Sequence, residues 1–143
     1  MGYGRIDYFP STIMDPIVHF ELPYDDKGAI QKFYGDVFGW KMQDWTMPDG
    51  TVHVGIHTTV IDEKSRLPLK PGSINGMFVK RNPKVSAPVV TAHVPSIEER
   101  VEQVKAAGGS VVMPKVEVPG MGWYIYVQDP EGNVVGMWED MKK

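Results

Sequence analysis

The sequence predicts an α+β fold made of two βαβββ modules in a pseudo-twofold arrangement. A strand-like segment followed by an amphipathic segment occurs twice, and the amphipathic segments end at Gly39 and Gly109, which are 70 residues apart. A similar motif closes each half, Ile-Asn-Gly-Met-Phe at residues 74–78 and Val-Val-Gly-Met-Trp at residues 134–138. A repeat of this size is a supersecondary unit that buries its apolar face by pairing with its copy. We therefore expect residues 1–143 to form a single domain.

The first module is predicted at residues 17–80, after an irregular arm at residues 1–16 that contains several glycines and prolines. Residues 17–22 alternate between apolar and polar, which is typical of a half-buried strand. This alternation places His19 and Glu21 together on the polar face of the strand.

A helix follows this strand, and three β-rich segments complete the first module. Asp25 or Asp26 can cap the helix, and Gly39 can end it in a left-handed conformation. The apolar residues of the helix follow helical spacing and can pack on the apolar face of the strand: Ile30, Phe33, Tyr34, Val37 and Phe38. The β-rich segments are expected at residues 40–46, 51–60 and 74–79.

The second module is predicted at residues 89–139, between a linker at residues 81–88 and a short tail at residues 140–143. It begins with a strand, and Ser96 can cap the helix that follows because its hydroxyl can accept a hydrogen bond from a free amide of the first turn. Two consecutive glycines end that helix, and further strands complete the module.

The last two strands form the most clearly predicted hairpin in the chain. The turn is expected at residues 129–132, because Pro130 presets φ for the first central position and Gly132 can adopt a positive φ. A four-residue turn would place Trp123 opposite Trp138, so that both indoles share one face of the sheet.

Composition limits the classes of function. The net charge is −3 with scattered Lys and Arg, and no apolar run approaches the roughly 18 residues that span a bilayer. There is no cysteine, which excludes disulfides, thiolate catalysis and cysteine-ligated zinc. The first residues do not have the basic and apolar regions of a secretory signal. We therefore expect a cytoplasmic protein that binds neither nucleic acid nor membranes.

Several short motifs together resemble the glyoxalase/bleomycin-resistance/dioxygenase superfamily, also called vicinal oxygen chelate proteins. In chain order they are His19-Phe20-Glu21-Leu22, Phe33-Tyr34, Phe38-Gly39-Trp40, Gly108-Gly109 and Asp129-Pro130-Glu131-Gly132-Asn133. Within the superfamily, the chain looks like a widespread glyoxalase-related subgroup. The resemblance implies curved mixed sheets around a cavity with helices outside, and it implies a homodimer.

The resemblance also indicates where a divalent metal would be bound. In metal-dependent relatives the ligands come from the first and last strands of each half, and the matching positions here are His19, Gly76, Val89 and Gly136. Only His19 has a side chain that can ligate. Because a divalent ion needs about three or more N/O ligands to compete with water, we expect no metal, and we expect no other cofactor.

A shifted metal site is the alternative, and it would use His19, Glu21, His57 and His93. Nothing in the sequence fixes the distances between these residues. His53 and His57 are four residues apart on one predicted strand, which separates their side chains by roughly 13 Å, too far for one ion. We therefore interpret the histidines as polar residues of the cavity wall or the surface.

Two functional hypotheses follow, and the missing metal ligands favour the first. The protein would bind a small apolar or aromatic molecule in its cavity without metal, as in the bleomycin-resistance branch. Alternatively it would be a lyase or isomerase of the glyoxalase type, acting on a small carbonyl substrate with His19 and Glu21 as catalytic proton-transfer groups. The residues expected to line the cavity are His19, Glu21, His57, His93, Trp123, Gly136 and Trp138.

Overall fold

The computed structural model describes residues 14–142, so most of the predicted N-terminal arm lies outside the described residues. The elements follow the order β1 (Ile17–Tyr24), α1 (Lys27–Phe38), β2 (Lys41–Thr46), β3 (Val52–His57), β4 (Asn75–Lys80), β5 (Val89–His93), α2 (Ile97–Ala106), β6 (Ser110–Val118), β7 (Gly122–Gln128) and β8 (Val134–Asp140). No helix in this part of the chain is long and apolar enough to cross a membrane.

All eight strands join one curled half-barrel sheet, and both helices lie outside it. The strand order β2-β3-β4-β1-β5-β8-β7-β6 keeps the four strands of each module together. Strand β1 pairs in parallel with β4, and β5 pairs in parallel with β8, whereas the other neighbours are antiparallel. The predicted α+β fold is therefore confirmed, with β1 and β5 joining the modules at the centre of the sheet.

The register of β1 with β5 shows the pseudo-twofold relation between the modules. Phe20 lies opposite Val90, which is 70 residues further along the chain. The same shift of 70 residues interconverts the two flanking pairs, His19–Thr91 and Glu21–Val89. The 70-residue repeat is therefore present in the strand pairing itself.

Helix α1 has the predicted caps and covers the first module. The Asp26 carboxylate accepts a hydrogen bond from the amide of Ala29, with an Oδ1···N distance of 3.0 Å, and Gly39 adopts a left-handed φ of 70°. The helix buries an apolar cluster of the sheet: Val54, Ile56 and Phe78. Of the apolar residues predicted to pack on the strand, Ile30 and Tyr34 do contact this cluster. The prediction is wrong for Phe33, Val37 and Phe38, which are more than half exposed.

Helix α2 covers the second module. The Ser96 hydroxyl accepts from the amide of Glu99, and the Glu139 carboxylate accepts from the amide of Ile97 at 2.7 Å. Gly108 has the left-handed φ of 93° that ends the helix. The core beneath the helix consists of Val94, Ile97, Ile125, Val127 and Met137.

The hairpin of β7 and β8 forms at the predicted place, but its register differs by one residue from the predicted one. The amide of Asp129 donates to the carbonyl of Asn133 at 2.9 Å, which leaves a loop of three residues between them. Gly132 has a φ of 86°, as the last residue of such a loop requires. Because the predicted turn had four residues, every predicted pair in this hairpin is shifted by one position.

Replacing Gly132 with alanine is expected to lower the free energy of unfolding by about 1–2 kcal/mol, because a left-handed φ costs an L-residue about that much. Urea unfolding measures the change. Gly28→Ala is the matched control, since Gly28 lies in helix α1 and an added methyl carbon would have its nearest neighbour at 3.6 Å. That control should be neutral or stabilising, because alanine favours helix. Equal losses in the two variants would contradict the assignment of strain to this turn.

Candidate functional site

The face of the sheet opposite the helices is concave, and side chains from both modules meet on it. Neighbouring residues of a strand point to opposite faces, so the residues that alternate with the two helix-facing cores belong to the concave face. At the junction of the modules this face carries His19, Glu21, His53, Met77, Thr91, Tyr124, Tyr126, Gly136 and Trp138.

Glu21 is the buried polar centre of the concave face. Only 4% of the residue is exposed, and the hydroxyl of Tyr126 donates a hydrogen bond to its Oε2 atom. Burial raises the pKa of Glu21, while hydrogen bonds from Tyr126 and Tyr124 act in the opposite direction. Burial and the nearby carboxylate raise the pKa of Tyr126, which keeps its hydroxyl protonated as a donor. A buried carboxyl group without such a partner would be costly.

Tyr126 reaches Glu21 across two intervening strands. Tyr126 on β7 lies opposite Gly136 on β8, and Gly136 lies opposite Thr91 on β5, which pairs with β1. Gly136 has no side chain that could block the path of the Tyr126 phenol from β7 to Glu21 on β1. The curl of the sheet and this glycine together allow a residue of the second module to bind a carboxylate of the first.

Tyr124 fills the space above Gly136. Its hydroxyl lies 2.7 Å from the Oγ1 atom of Thr91, and both groups are buried. A β-carbon at Gly136 would lie 2.0 Å from the Tyr124 hydroxyl and 2.6 Å from Thr91 Oγ1. The rings of Tyr124 and Tyr126 pack edge to face, with 4.8 Å between their centroids. Gly136 is therefore required by the position of Tyr124.

His19 lies beside Glu21 and remains accessible from the concave side. Its side chain is 28% exposed, and its Nε2 atom is 4.0 Å from Glu21 Oε1, which is too long for a hydrogen bond. Burial lowers the pKa of His19 from 6.5 to about 4. The imidazole is therefore neutral at pH 7, and it forms no ion pair with Glu21 there.

The first module adds an apolar wall to the concave face. Trp45 is 37% exposed, and a β-carbon at Gly55 would lie 3.4 Å from the indole Nε1 atom, so the indole lies over this glycine. The Sδ atom of Met77 contacts Nδ1 of His53 at 3.2 Å. These residues form one side of the concavity, and the tyrosines of the second module form the other.

His57, His93 and Trp138 were also predicted to line the cavity, and each lies at a distance from Glu21 in the strand order or makes its own contacts. His57 is on the concave side of β3, next to Ile56 on the helix side. His93 and Trp138 both bind the carboxylate of Asp140, at 2.7 and 2.8 Å. His93 also lines a cavity of about 380 Å³ that does not include His19 or Glu21; it is formed by Met14, Asp15, Pro16, His93, Val94, Pro95, Glu139, Asp140 and Lys142.

Trp123 lies on the helix-facing side, so the prediction that it shares a face with Trp138 is wrong. Trp123 is opposite Glu139, whereas Trp138 is opposite Tyr124. The indole of Trp123 packs against the core beneath α2, with Lys115 Nζ 5.4 Å from the ring centroid. A shift of one residue in a hairpin moves every side chain to the other face, and the three-residue loop causes that shift here.

Six residues of the concave face were not predicted: His53, Met77 and Trp45 of the first module, and Thr91, Tyr124 and Tyr126 of the second. Strand β7 carried a usable signal, because its more polar residues Tyr124, Tyr126 and Gln128 alternate with its more apolar ones. A hydrophobic core prefers the apolar set, so the tyrosines are the better candidates for the open face. Thr91 had no comparable signal, because nothing in the sequence pairs it with a residue on β7.

The positions that match the superfamily's metal ligands do not fit a metal ion. A β-carbon at Gly76 would lie 2.8 Å from the Phe20 ring, on the helix side of the sheet, so Gly76 does not face the concavity. The first-half counterpart of Gly136 is instead Met77, because Met77 pairs with Glu21 as Gly136 pairs with Thr91, 70 residues later. Val89 is a buried hydrocarbon, and the space at Gly136 is filled by Tyr124. Within residues 14–142, no three His, Asp or Glu side chains are grouped closely enough to hold a metal ion. The absence of a cofactor stays a prediction.

Comparisons with known proteins agree with the fold and the motifs. Residues 16–57 match the family model described as "Bleomycin resistance protein-like N-terminal". The Mycobacterium bovis protein named "Putative glyoxylase CFP32" is 28% identical over 120 residues, which cover 83% of this chain and 43% of that protein. The resemblance to the glyoxalase/bleomycin resistance/dioxygenase superfamily is confirmed. The chain spans less than half the length of the curated relatives that it matches.

Several solved structures share the fold at low sequence identity. A glyoxalase/bleomycin resistance protein/dioxygenase superfamily member from Vibrio splendidus superposes with a TM-score of 0.55 at 18% identity, covering 90% of this chain and 100% of that one. Methylmalonyl-CoA epimerase from Mycobacterium tuberculosis gives a TM-score of 0.59 at 12% identity, covering 88% of both chains. Identities this low establish the architecture and leave the chemistry to be argued from the concave face.

Proposed function

We propose that the concave face binds a small organic molecule with an apolar or aromatic body, and that it does so without the metal of the superfamily. The supporting observation is that the concave face combines a buried polar group, Glu21, with partly exposed side chains around it. Glu21 is fixed by Tyr126, while His19 beside it and Trp45 opposite remain partly exposed. Small-molecule sites are typically concave and aromatic, with a few polar groups that set the ligand's orientation.

The polar groups indicate which part of the ligand would face the floor. His19 is neutral at pH 7, and Glu21 is held by a phenol, so the floor offers a neutral imidazole beside a carboxyl group. A ligand hydroxyl or carbonyl can hydrogen-bond to the imidazole while the rest of the molecule contacts Trp45 and Met77. Homodimerisation and a cytoplasmic location, both expected from the sequence, stay predictions.

A lyase or isomerase activity is the second candidate, and the pKa of Glu21 is the observation that favours it. Carboxylates with raised pKa values are frequent among catalytic bases, and His19 lies next to this one. The activity would appear as α-proton exchange of a small carbonyl compound in D₂O, followed by NMR. For a binding protein, we expect dihydroxyacetone to exchange no faster with the protein than with buffer. Faster exchange that Glu21→Gln abolishes would make the enzyme the better assignment.

Binding is tested by a thermal shift with named aromatic probes: indole, 2-naphthol and benzaldehyde. A ligand that binds only the folded state raises the melting temperature, and the shift grows with the logarithm of the ligand concentration once this exceeds Kd. We expect at least one probe to stabilise the protein, and His19→Trp to abolish the effect by filling the concave face. Val37→Trp on the exposed side of α1 is the matched control and should keep the effect. Equal stabilisation of both variants would place the binding elsewhere and contradict the proposal.

The metal question has a separate measurement. Elemental analysis of the purified protein is combined with melting curves in the presence of Ni²⁺, Zn²⁺ or a chelator. We expect less than about one-tenth of an equivalent of metal and a melting temperature that the chelator leaves unchanged, because only His19 of the four matching positions can ligate. Stoichiometric metal with a chelator-sensitive melt would contradict the metal-free proposal.

The low pKa of His19 predicts a loss of stability in acid. The pKa of His19 is about 4 in the folded protein and 6.5 in the unfolded chain, so the unfolded chain takes up a proton first as the pH falls. The free energy of unfolding is therefore highest above pH 6.5 and falls as the pH is lowered towards 4. Because the side chain is partly exposed, we expect a loss on the order of 1–2 kcal/mol, seen in urea unfolding at pH 7 and pH 4.5. His19→Gln should remove this part of the pH dependence. An unchanged pH profile in that variant would contradict the assignment.

A further inference from the structure

We infer that Tyr124, through its hydroxyl and its bond to Thr91, is the residue that closes the superfamily's last-strand metal position in this chain. The absence of a carboxylate at Gly136 is then only half of the explanation. The other half is that the volume where such a side chain would begin is already occupied. The inference concerns this position alone and stands whether or not the concave face binds a small molecule.

The strand pairing identifies the position on both halves. Glu21 and Thr91 are related by the 70-residue repeat, and their partners on the parallel strands are Met77 and Gly136. Both partners point to the concave face, so the equivalence concerns side-chain direction as well as chain position. Met77 is a thioether and Gly136 has no side chain, so neither β4 nor β8 has an oxygen or nitrogen ligand at this position.

The geometry at Gly136 shows what replaced the ligand. The first atom of any side chain there would lie 2.0 Å from Tyr124 Oη and 2.6 Å from both Tyr124 Cζ and Thr91 Oγ1. Side-chain β-carbons essentially never approach other heavy atoms below 3.0 Å. Tyr124 cannot move aside cheaply, because it is 8% exposed, its hydroxyl is paired at 2.7 Å, and its ring packs against Tyr126.

The consequence is a displaced polar centre. The last-strand position is filled by two paired hydroxyls, and the buried carboxyl group on the concave face is Glu21 of β1, whose partner is Tyr126. Tyr124 and Tyr126 alternate on β7, so one strand supplies both the residue that closes the old position and the residue that fixes the new one. Tyr124 therefore closes the last-strand position, and Tyr126 positions Glu21.

The test is a double-mutant cycle between Gly136→Ala and Tyr124→Leu. Leucine is shorter than tyrosine and withdraws from Gly136, while it keeps the site apolar and filled. We expect Gly136→Ala to lower the melting temperature by about 10 °C or more, or to prevent folding, when Tyr124 is present. Thr91→Ala is added to the Tyr124→Leu background, because Thr91 Oγ1 would otherwise still lie 2.6 Å from the new β-carbon, and in that background the same change should cost less than about 3 °C. Equal losses in both backgrounds, including failure to fold in both, would overturn the inference.

A second arm measures metal directly. Gly136→Glu and Val89→His are introduced together, which with His19 supplies ligand side chains at three of the matching positions. We expect Ni²⁺ to bind at least ten-fold more tightly by calorimetry when Tyr124→Leu and Thr91→Ala are both added to this pair, because both residues lie within 3.0 Å of the new β-carbon. One equivalent of Ni²⁺ bound with Tyr124 still in place would overturn the inference, because the position would then be open.

Discussion

Replacing Tyr126 with phenylalanine is expected to lower the free energy of unfolding by about 2–3 kcal/mol at pH 7. The change removes the hydroxyl that donates to Glu21 and leaves a 4% exposed carboxyl group without that donor. A buried group that loses its partner costs about 1–3 kcal/mol, and more when it is charged. Urea unfolding at pH 7 measures the loss.

The pH dependence of this loss separates it from simple packing damage. Burial raises the pKa of Glu21, so its destabilising effect as a carboxylate is absent at low pH and appears as the pH rises through the folded pKa. Tyr126→Phe should therefore cost less at pH 4 than at pH 7. Tyr124→Phe is the comparison variant: its hydroxyl is paired with Thr91 and lowers the pKa of Glu21 less than that of Tyr126 does, so its cost should depend less on pH. Identical pH profiles for the two variants would contradict the assignment.

Replacing Phe78 with alanine is expected to lower the free energy of unfolding by about 3–5 kcal/mol. Phe78 is 1% exposed and lies at the centre of the apolar cluster beneath α1, where its ring is 5.7 Å from that of Tyr34. Removing it leaves a cavity that β-sheet neighbours cannot close, because packed interiors relax only in part. Thermal or urea unfolding measures the change.

Phe33→Ala is the matched control for this prediction. Phe33 is on the same helix-and-sheet layer but is 53% exposed, so its removal should cost less than about 1 kcal/mol. If both substitutions cost the same, the cluster beneath α1 is not the main support of the first module. The same result would also contradict the assignment of Phe78 to the helix-facing core of the sheet.

Much of the fold could be predicted from local patterns. The caps at Asp26 and Ser96 and the place of the turn around Gly132 each follow from interactions within a few residues. The apolar stripe of α1 was predicted only in part, because Ile30 and Tyr34 pack on the core whereas Phe33, Val37 and Phe38 are more than half exposed. The 70-residue repeat is also confirmed, because β1 pairs with β5, its own copy, and Phe20 lies opposite Val90, the residue 70 positions later. These features depend on short-range chemistry or on internal symmetry, and both are visible in one sequence.

The candidate site was predicted only in part, for two physical reasons. Side-chain direction in a hairpin depends on whether its loop has three or four residues, and here the Asp129–Asn133 pair decides it. The sequence alone does not fix that choice, so Trp123 was assigned to the wrong face. The partner of Glu21 is 105 residues away on another strand, and the curl of the sheet brings the two together. His19 and Glu21 were found because both belong to one short strand.

We propose the concave face, with Glu21 and His19 at its floor, as the binding surface. The most direct test follows the methyl groups of isotope-labelled methionines by NMR during a titration with 2-naphthol. Met77 lies on the concave face, whereas Met137 is buried beneath α2 and Met14 lines the separate cavity. We predict a saturable shift of the Met77 signal, with Met137 and Met14 unchanged. Saturable binding that moves Met14 or Met137 and leaves Met77 unchanged would contradict the account.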